Sequence, residues 1–232
     1  MSRTGLLAFA WLCLAAASLS AQAPPSEYAT FTSHGKPVSC PVYENRGARQ
    51  TMIFLRGADP AEITLGRQEA TFFAEHGFRV LMPEYLSVTP NAKPTATNYR
   101  RWAQVVEDMV ADLDAREHGR KIVLAGQSLG ASVALVAGTR KLEVAAMAEW
   151  SGQLPNEFFS QVQSMPPLLI LHGNLDDQIP IVNARQLVRL CELKDFTCEI
   201  QIYTGEGHIF APNIAYTANQ RVLAFLQSYL SK

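Results

Sequence analysis

Ser128 stands in the string Gly126-Gln127-Ser128-Leu129-Gly130, directly after the apolar run Ile122 to Ala125 and directly before the small-residue run Ala131 to Gly138. An apolar run of that length reads as a buried strand, and the small-residue run as a helix. The serine therefore sits on a sharp strand-to-helix turn. Such a turn is strained and brings two backbone segments close together, so a Cβ at either flanking position would collide. The pattern projects the serine from the end of a sheet. It also aims the N–H groups that open the following helix at whatever the oxygen attacks.

The surrounding segments repeat the strand–helix alternation. Tyr28–Ser33 and Lys36–Tyr43 alternate in polarity and meet at His34-Gly35, which predicts an N-terminal hairpin. Strands are expected at Thr51–Leu55, Phe78–Met82, Ile122–Ala125, Val144–Trp150, Pro167–Leu171 and Cys198–Tyr203. Helices are expected at Glu62–Glu75, Thr97–Glu117, Ala131–Gly138, Asn183–Leu193 and Ala215–Leu230, with a Pro-rich surface loop at Thr89–Pro94. Because most of these strands are apolar throughout, they should form a mostly parallel sheet covered by helices on both faces. No repeat, second domain or large inserted lid is evident.

The first residues stand apart. Arg3 precedes the apolar stretch Leu6 to Ala17, followed by small residues, which reads as a secretory signal peptide over 1–23 with cleavage near 20–23. Residues 24–232 then form one α/β domain, exported to the periplasm or the medium. Losing Arg3 and no acidic residue moves the formal charge from −1 to −2. Such a balance favours neither nucleic acid nor an anionic membrane as partner. Export permits disulfides. Cys191 and Cys198 flank a helix-to-strand connection, and a bridge there stands open beside the alternative of two reduced, buried thiols, with Cys40 left over. The cysteine spacing matches no metal site.

A serine hydroxyl needs a base within hydrogen-bond reach and an acid to orient that base. Reactive groups of an open parallel sheet collect at the carboxyl ends of its strands. Among five histidines, His34, His76 and His118 lie at a turn or at helix ends, which leaves His172 and His208. His208, in the glycine-rich stretch Gly205-Glu206-Gly207-His208 after the last strand, is the candidate base. Asp176 and Asp177, after the strand ending at Leu171, are the candidate acids, and neighbouring side chains cannot both face one imidazole. The residues alone leave that choice open.

The strings Phe54-Leu55-Arg56-Gly57, Gly126-Gln127-Ser128-Leu129-Gly130, His172-Gly173-Asn174-Leu175-Asp176-Asp177-Gln178-Ile179-Pro180 and Gly207-His208 together resemble the α/β-hydrolase superfamily, dienelactone-hydrolase-like branch. The resemblance spans essentially the whole chain after the leader. It implies Asp176 as the acid and a structural part for His172. It also implies an oxyanion hole made by the backbone N–H groups of Leu129 and Ala58. The family usually has His-Gly where this chain has Arg56-Gly57, and founding members carry cysteine where this chain has Ser128. Arg56 would either attract a carboxylate-bearing substrate or pair with Asp59 or Glu84. Tyr85 and Trp150, following strands on the same edge, are candidates for the acyl pocket.

What results is the expectation of an exported serine hydrolase that cleaves carboxylic esters of small molecules through Ser128, His208 and Asp176, with no metal or organic cofactor. Its activity should fall as His208 takes up a proton, over about pH 5 to 8. Alternatives are a prolyl-oligopeptidase-like peptidase, a thioesterase or acyltransferase, and a silent binding protein on the same fold.

Overall fold

All five residues from Thr51 to Leu55 are buried, although successive side chains of a strand face opposite ways. Such a strand must be covered on both sides, and the computed structural model, which describes residues 24–231, places it inside an eight-stranded sheet. The expected leader and its cleavage site lie outside the described residues.

In chain order the strands are β1 (Glu27–Ser33), β2 (Lys36–Tyr43), β3 (Gln50–Leu55), β4 (Phe78–Leu81), β5 (Lys121–Gln127), β6 (Met147–Trp150), β7 (Leu168–Gly173) and β8 (Cys198–Tyr203). The helices are α1 (Pro60–Glu75), α2 (Ala96–Arg116), α3 (Leu129–Gly138), α4 (Val182–Lys194) and α5 (Pro212–Leu230). Sheet order is β1-β2-β4-β3-β5-β6-β7-β8. The β1–β2 and β2–β4 pairs are antiparallel, and β4 through β8 run parallel. The hairpin turns at His34 and Gly35, both at positive φ (51° and 69°), the geometry a two-residue turn needs to match strand twist.

Alternation along the strands divides the core in two. Ile53, Leu55, Ile122, Leu124, Leu168 and Ile170 pack with Trp102, Val106, Leu135 and Leu187 of α2, α3 and α4. Met52, Phe54, Val123, Ala125, Leu169 and Leu171 point the other way, onto Phe73 of α1 and Val222, Phe225 and Leu226 of α5. Burying side chains of this size contributes roughly 1.5–3 kcal/mol each.

Element starts are where the structure departs most from the pattern, and β6 begins at Met147 rather than Val144. α1 begins at Pro60 rather than Glu62, because Asp59 caps it and Glu62 reaches back to the cap backbone. α5 begins at Pro212 rather than Ala215, with proline in its first turn, where the missing N–H has no partner to lose. α3 begins at Leu129, directly after the serine.

Cys191 of α4 and Cys198 of β8 are joined, with Cα atoms 6.1 Å apart and a sequence separation of 7. Cys40 is a buried free thiol. Loop-closure entropy makes a bridge of this span worth about 2.5 kcal/mol. Replacing both cysteines with serine should lower the unfolding free energy by about that amount in urea titrations. Equal midpoints for the variant and the oxidised parent would show that the bridge adds no stability.

Candidate active site

Three loops at the carboxyl ends of β5, β7 and β8 supply the site. In the first, Ser128 adopts φ 55° and ψ −121°, a strained backbone for a residue with a Cβ. Hydrogen bonds hold it there: Ser128 N–H donates to Trp150 O at 2.8 Å and Ser132 N–H to Ser128 O at 3.0 Å. The flanking glycines are steric requirements. A Cβ on Gly126 would come within 2.7 Å of the Gly130 carbonyl, and one on Gly130 would run into the Leu55 carbonyl. Leu129 N–H opens α3, where a helix has no internal acceptor for it.

The second and third loops are sewn to each other. Leu175 N–H donates to Glu206 O (2.9 Å), Asn174 N–H to Tyr203 O (3.1 Å) and Gly205 N–H to Asn174 Oδ1 (2.7 Å). Across this seam His208 Nδ1 meets Asp176 Oδ2 at 2.8 Å, and His208 Nε2 meets Ser128 Oγ at 2.9 Å. The other oxygen of Asp176 accepts from the Gln178 and Ile179 amides at 3.0 and 2.8 Å. Ser151 Oγ donates to the backbone His208 O at 3.1 Å, tying the His208 main chain to the end of β6. The neighbouring Asp177 is exposed. His172 is fully buried beneath Asp176 and reaches Ile179 O through Nε2 at 2.7 Å; burial lowers its pKa.

A residue that the sequence marks only as a helix start, and not as a site candidate, enters from α1. Glu62, 3% exposed, places Oε2 on the Ala58 and Asp59 amides at 2.7 and 3.0 Å and Oε1 at 3.2 Å from His208 Nε2. The Ala58 N–H expected in an oxyanion hole is thus committed to a carboxylate of the chain itself. The available signal was the spacing Asp59-x-x-Glu62 around Pro60, a capping box.

The three pocket candidates fall in different places. Arg56 pairs with Glu84 at 2.6 Å and donates to Gly57 O, which leaves its guanidinium engaged at the rim. Tyr85 is 1% exposed and donates its hydroxyl to Arg56 O, so it braces the β3 loop from the core rather than lining a pocket. Trp150 packs on Phe54 and Phe73 and borders a small cavity behind His208 that Leu65, Glu69, Gln127 and Phe210 also line. Glu69 and Glu149, both fully enclosed, were also missed; Glu149 Oε2 accepts from Gly152 N–H at 2.7 Å.

These carboxylates divide by the donors they receive. Burial pushes Glu69 up to about 8, and Glu149 to about 8 against the pull of the Gly152 amide. Burial acts the same way on Glu62, but hydrogen bonds from His208, Ser128 and the two loop amides outweigh it and bring the carboxyl down to about 2. Asp176 is likewise lowered, its burial overcome by the His208 and amide bonds. Burial alone would depress His208; its bonds to Asp176 and Glu62, and their charges, instead push it up to about 9. Among the described residues no group of three or more His, Cys, Asp or Glu side chains is placed to hold a metal ion, and no helix is long and apolar enough to cross a membrane. His208 should titrate near 9 when its ring protons are followed by NMR, and lower in Asp176→Asn. A midpoint near 6.5 in the parent protein would contradict this charge arrangement.

Residues 148–232 match the prolyl oligopeptidase family. No curated protein matches the chain. Solved structures do. Esterase PE8 is 23% identical, with TM-score 0.64, over 83% of this chain and 99% of that one. A Klebsiella pneumoniae protein assigned as a dienelactone hydrolase is 16% identical, with TM-score 0.71, over 88% of this chain and 98% of that one. A Thermogutta terrifontis esterase with butyrate bound is 16% identical, with TM-score 0.66, over 86% and 92%. At these identities the likeness establishes the shared fold alone, that of the α/β-hydrolases; the described residues carry its N-terminal hairpin and, among them, no large inserted lid.

Proposed function

We propose that this α/β-hydrolase-fold protein is a serine hydrolase that cleaves carboxylic esters of small molecules. The observation that carries the reading is the unbroken relay from Ser128 Oγ to His208 Nε2, and from His208 Nδ1 to Asp176 Oδ2, at the strand ends of a parallel sheet. In the reaction, Ser128 Oγ attacks the acyl carbon while His208 Nε2 takes the hydroxyl proton. Asp176 holds the imidazole with Nδ1–H donating and stabilises the imidazolium. The proton passes to the departing alkoxide, leaving an acyl-Ser128 ester. Water, deprotonated by the same nitrogen, then attacks that ester and frees the acid. Leu129 N–H is the oxyanion donor from α3, worth about 3 kcal/mol of barrier if it behaves as such donors do.

The butyrate bound to one structural relative, a Thermogutta terrifontis esterase, supports a short acyl group. The Cys191–Cys198 bridge fits the oxidising compartment to which a leader over 1–23 would direct the chain. A peptidase is the second reading, favoured by the match of residues 148–232 to the prolyl oligopeptidase family; that segment holds Asp176 and His208 but not Ser128.

Ser128→Ala should abolish hydrolysis of p-nitrophenyl acetate and labelling by a fluorophosphonate, with an unchanged circular dichroism spectrum. Retained turnover would reject the nucleophile, and a parent that stays unlabelled even above about pH 9, where His208 is unprotonated, would favour a silent binder. Asp176→Asn should slow turnover by about a thousand-fold or more, whereas Asp177→Asn leaves it near the parent value. The opposite ranking would reassign the acid. Faster cleavage of a proline p-nitroanilide than of the ester would favour the peptidase.

A further inference from the structure

Glu62 is held as a reacting group would be held. Two backbone N–H groups, from Ala58 and Asp59, converge on its Oε2 at 2.7 and 3.0 Å, and its Oε1 lies 3.2 Å from His208 Nε2. Converging amides around one anionic oxygen, beside a nucleophile and its base, are what a tetrahedral oxyanion requires. The β3 loop is shaped to admit the carboxylate. Gly57 faces it, and a Cβ on that glycine would come within 2.7 Å of the Glu62 Cβ and run into its carboxyl group. The side chain is 3% exposed, so it occupies the site rather than passing across it.

We propose that Glu62 is a built-in oxyanion mimic that keeps the resting enzyme self-inhibited, and that it must withdraw from the Ala58 amide before an ester can be attacked. The inference rests on the serine-hydrolase reading. Two consequences follow from one contact. The Ala58 donor is unavailable while Glu62 holds it, and the imidazole beside Glu62 is kept charged, so it cannot accept the Ser128 proton.

The groups packed around His208 single out Glu62 as the removable charge. From β7 and its loop come His172, kept neutral by burial, and Asp176, which the relay needs. From β6 comes Glu149 and from α1 Glu69, both raised to about 8 by burial and thus mostly uncharged at neutral pH. Arg56 and Glu84 at the rim satisfy each other. Asp176 and Glu62 are therefore the two anions on the ring, one at each nitrogen. With His208 near 9, about one molecule in a hundred has a basic imidazole at pH 7.

The test is the pH profile of kcat/KM for p-nitrophenyl acetate, with fluorophosphonate labelling of Ser128 measured in parallel. The parent should show a rising limb with a midpoint near 9. Glu62→Ala should raise kcat/KM at pH 7 by about ten-fold or more and move the midpoint down by about one unit or more. Glu62→Gln keeps the shape and an amide-accepting oxygen while removing the charge. It should reproduce the midpoint shift with a smaller gain, and it decides the matter if the alanine variant does not fold. Lower kcat/KM in both variants across about pH 6 to 10, with Ser128 still labelled, would overturn the self-inhibition and leave the hydrolase reading standing. Absence of labelling in parent and variants alike would remove the hydrolase reading, and the inference with it.

Discussion

Two backbone segments pass each other with no side chain between them, and the rest of the site depends on that passage. α3 starts hard against the ends of β3 and β5 because Gly126 and Gly130 carry no Cβ. The cost is a strained Ser128, repaid by its bonds to Trp150 O and from Ser132 N–H. The same device recurs at Gly173, where a side chain would strike the Glu206 and Gly207 carbonyls. Close approach at both places sets the spacing between the serine loop and the loops bearing Asp176 and His208. Hydrogen-bond reach near 3 Å tolerates little error in that spacing.

Once positioned, the site is governed by how many donors each carboxylate can recruit. Asp176 and Glu62 are each met by two backbone amides and by the imidazole, and they remain charged. Glu149 has one amide, and no hydrogen bond satisfies Glu69 Oε2; burial keeps both mostly neutral at pH 7. The result is a single imidazole with an anion at each nitrogen. A proton on that ring is strongly favoured, and its pKa is pushed up to about 9. The cation expected at the entrance does not offset this, because Arg56 is neutralised by Glu84.

Much of this was legible in the chain itself. Apolar runs such as Ile122–Ala125 and Pro167–Leu171 predicted strands buried on both faces, and the glycines around Ser128 predicted the turn. Element starts were less legible where a cap, rather than periodicity, sets them: Asp59 and Pro60 begin α1 before its first apolar position, and Pro212 does the same for α5. Glu62 was hidden for a related reason. Helical spacing marks only an element start at that position, and the approach to His208 joins residues 146 apart in the chain. Tyr85 shows the reverse error, since a strand-end position looked like a pocket wall until the packing of Trp102 enclosed it.

By itself the sequence determined which residue types could do chemistry and at which strand ends they would stand. Those properties follow from local sterics and from side-chain periodicity, which act over a few residues. Tertiary structure alone decided which of these groups share a hydrogen bond, which amide Glu62 covers, and which carboxyls keep their charge. Such outcomes depend on distances between segments far apart in the chain and on how much water is excluded around them, and neither is written into any short stretch of residues.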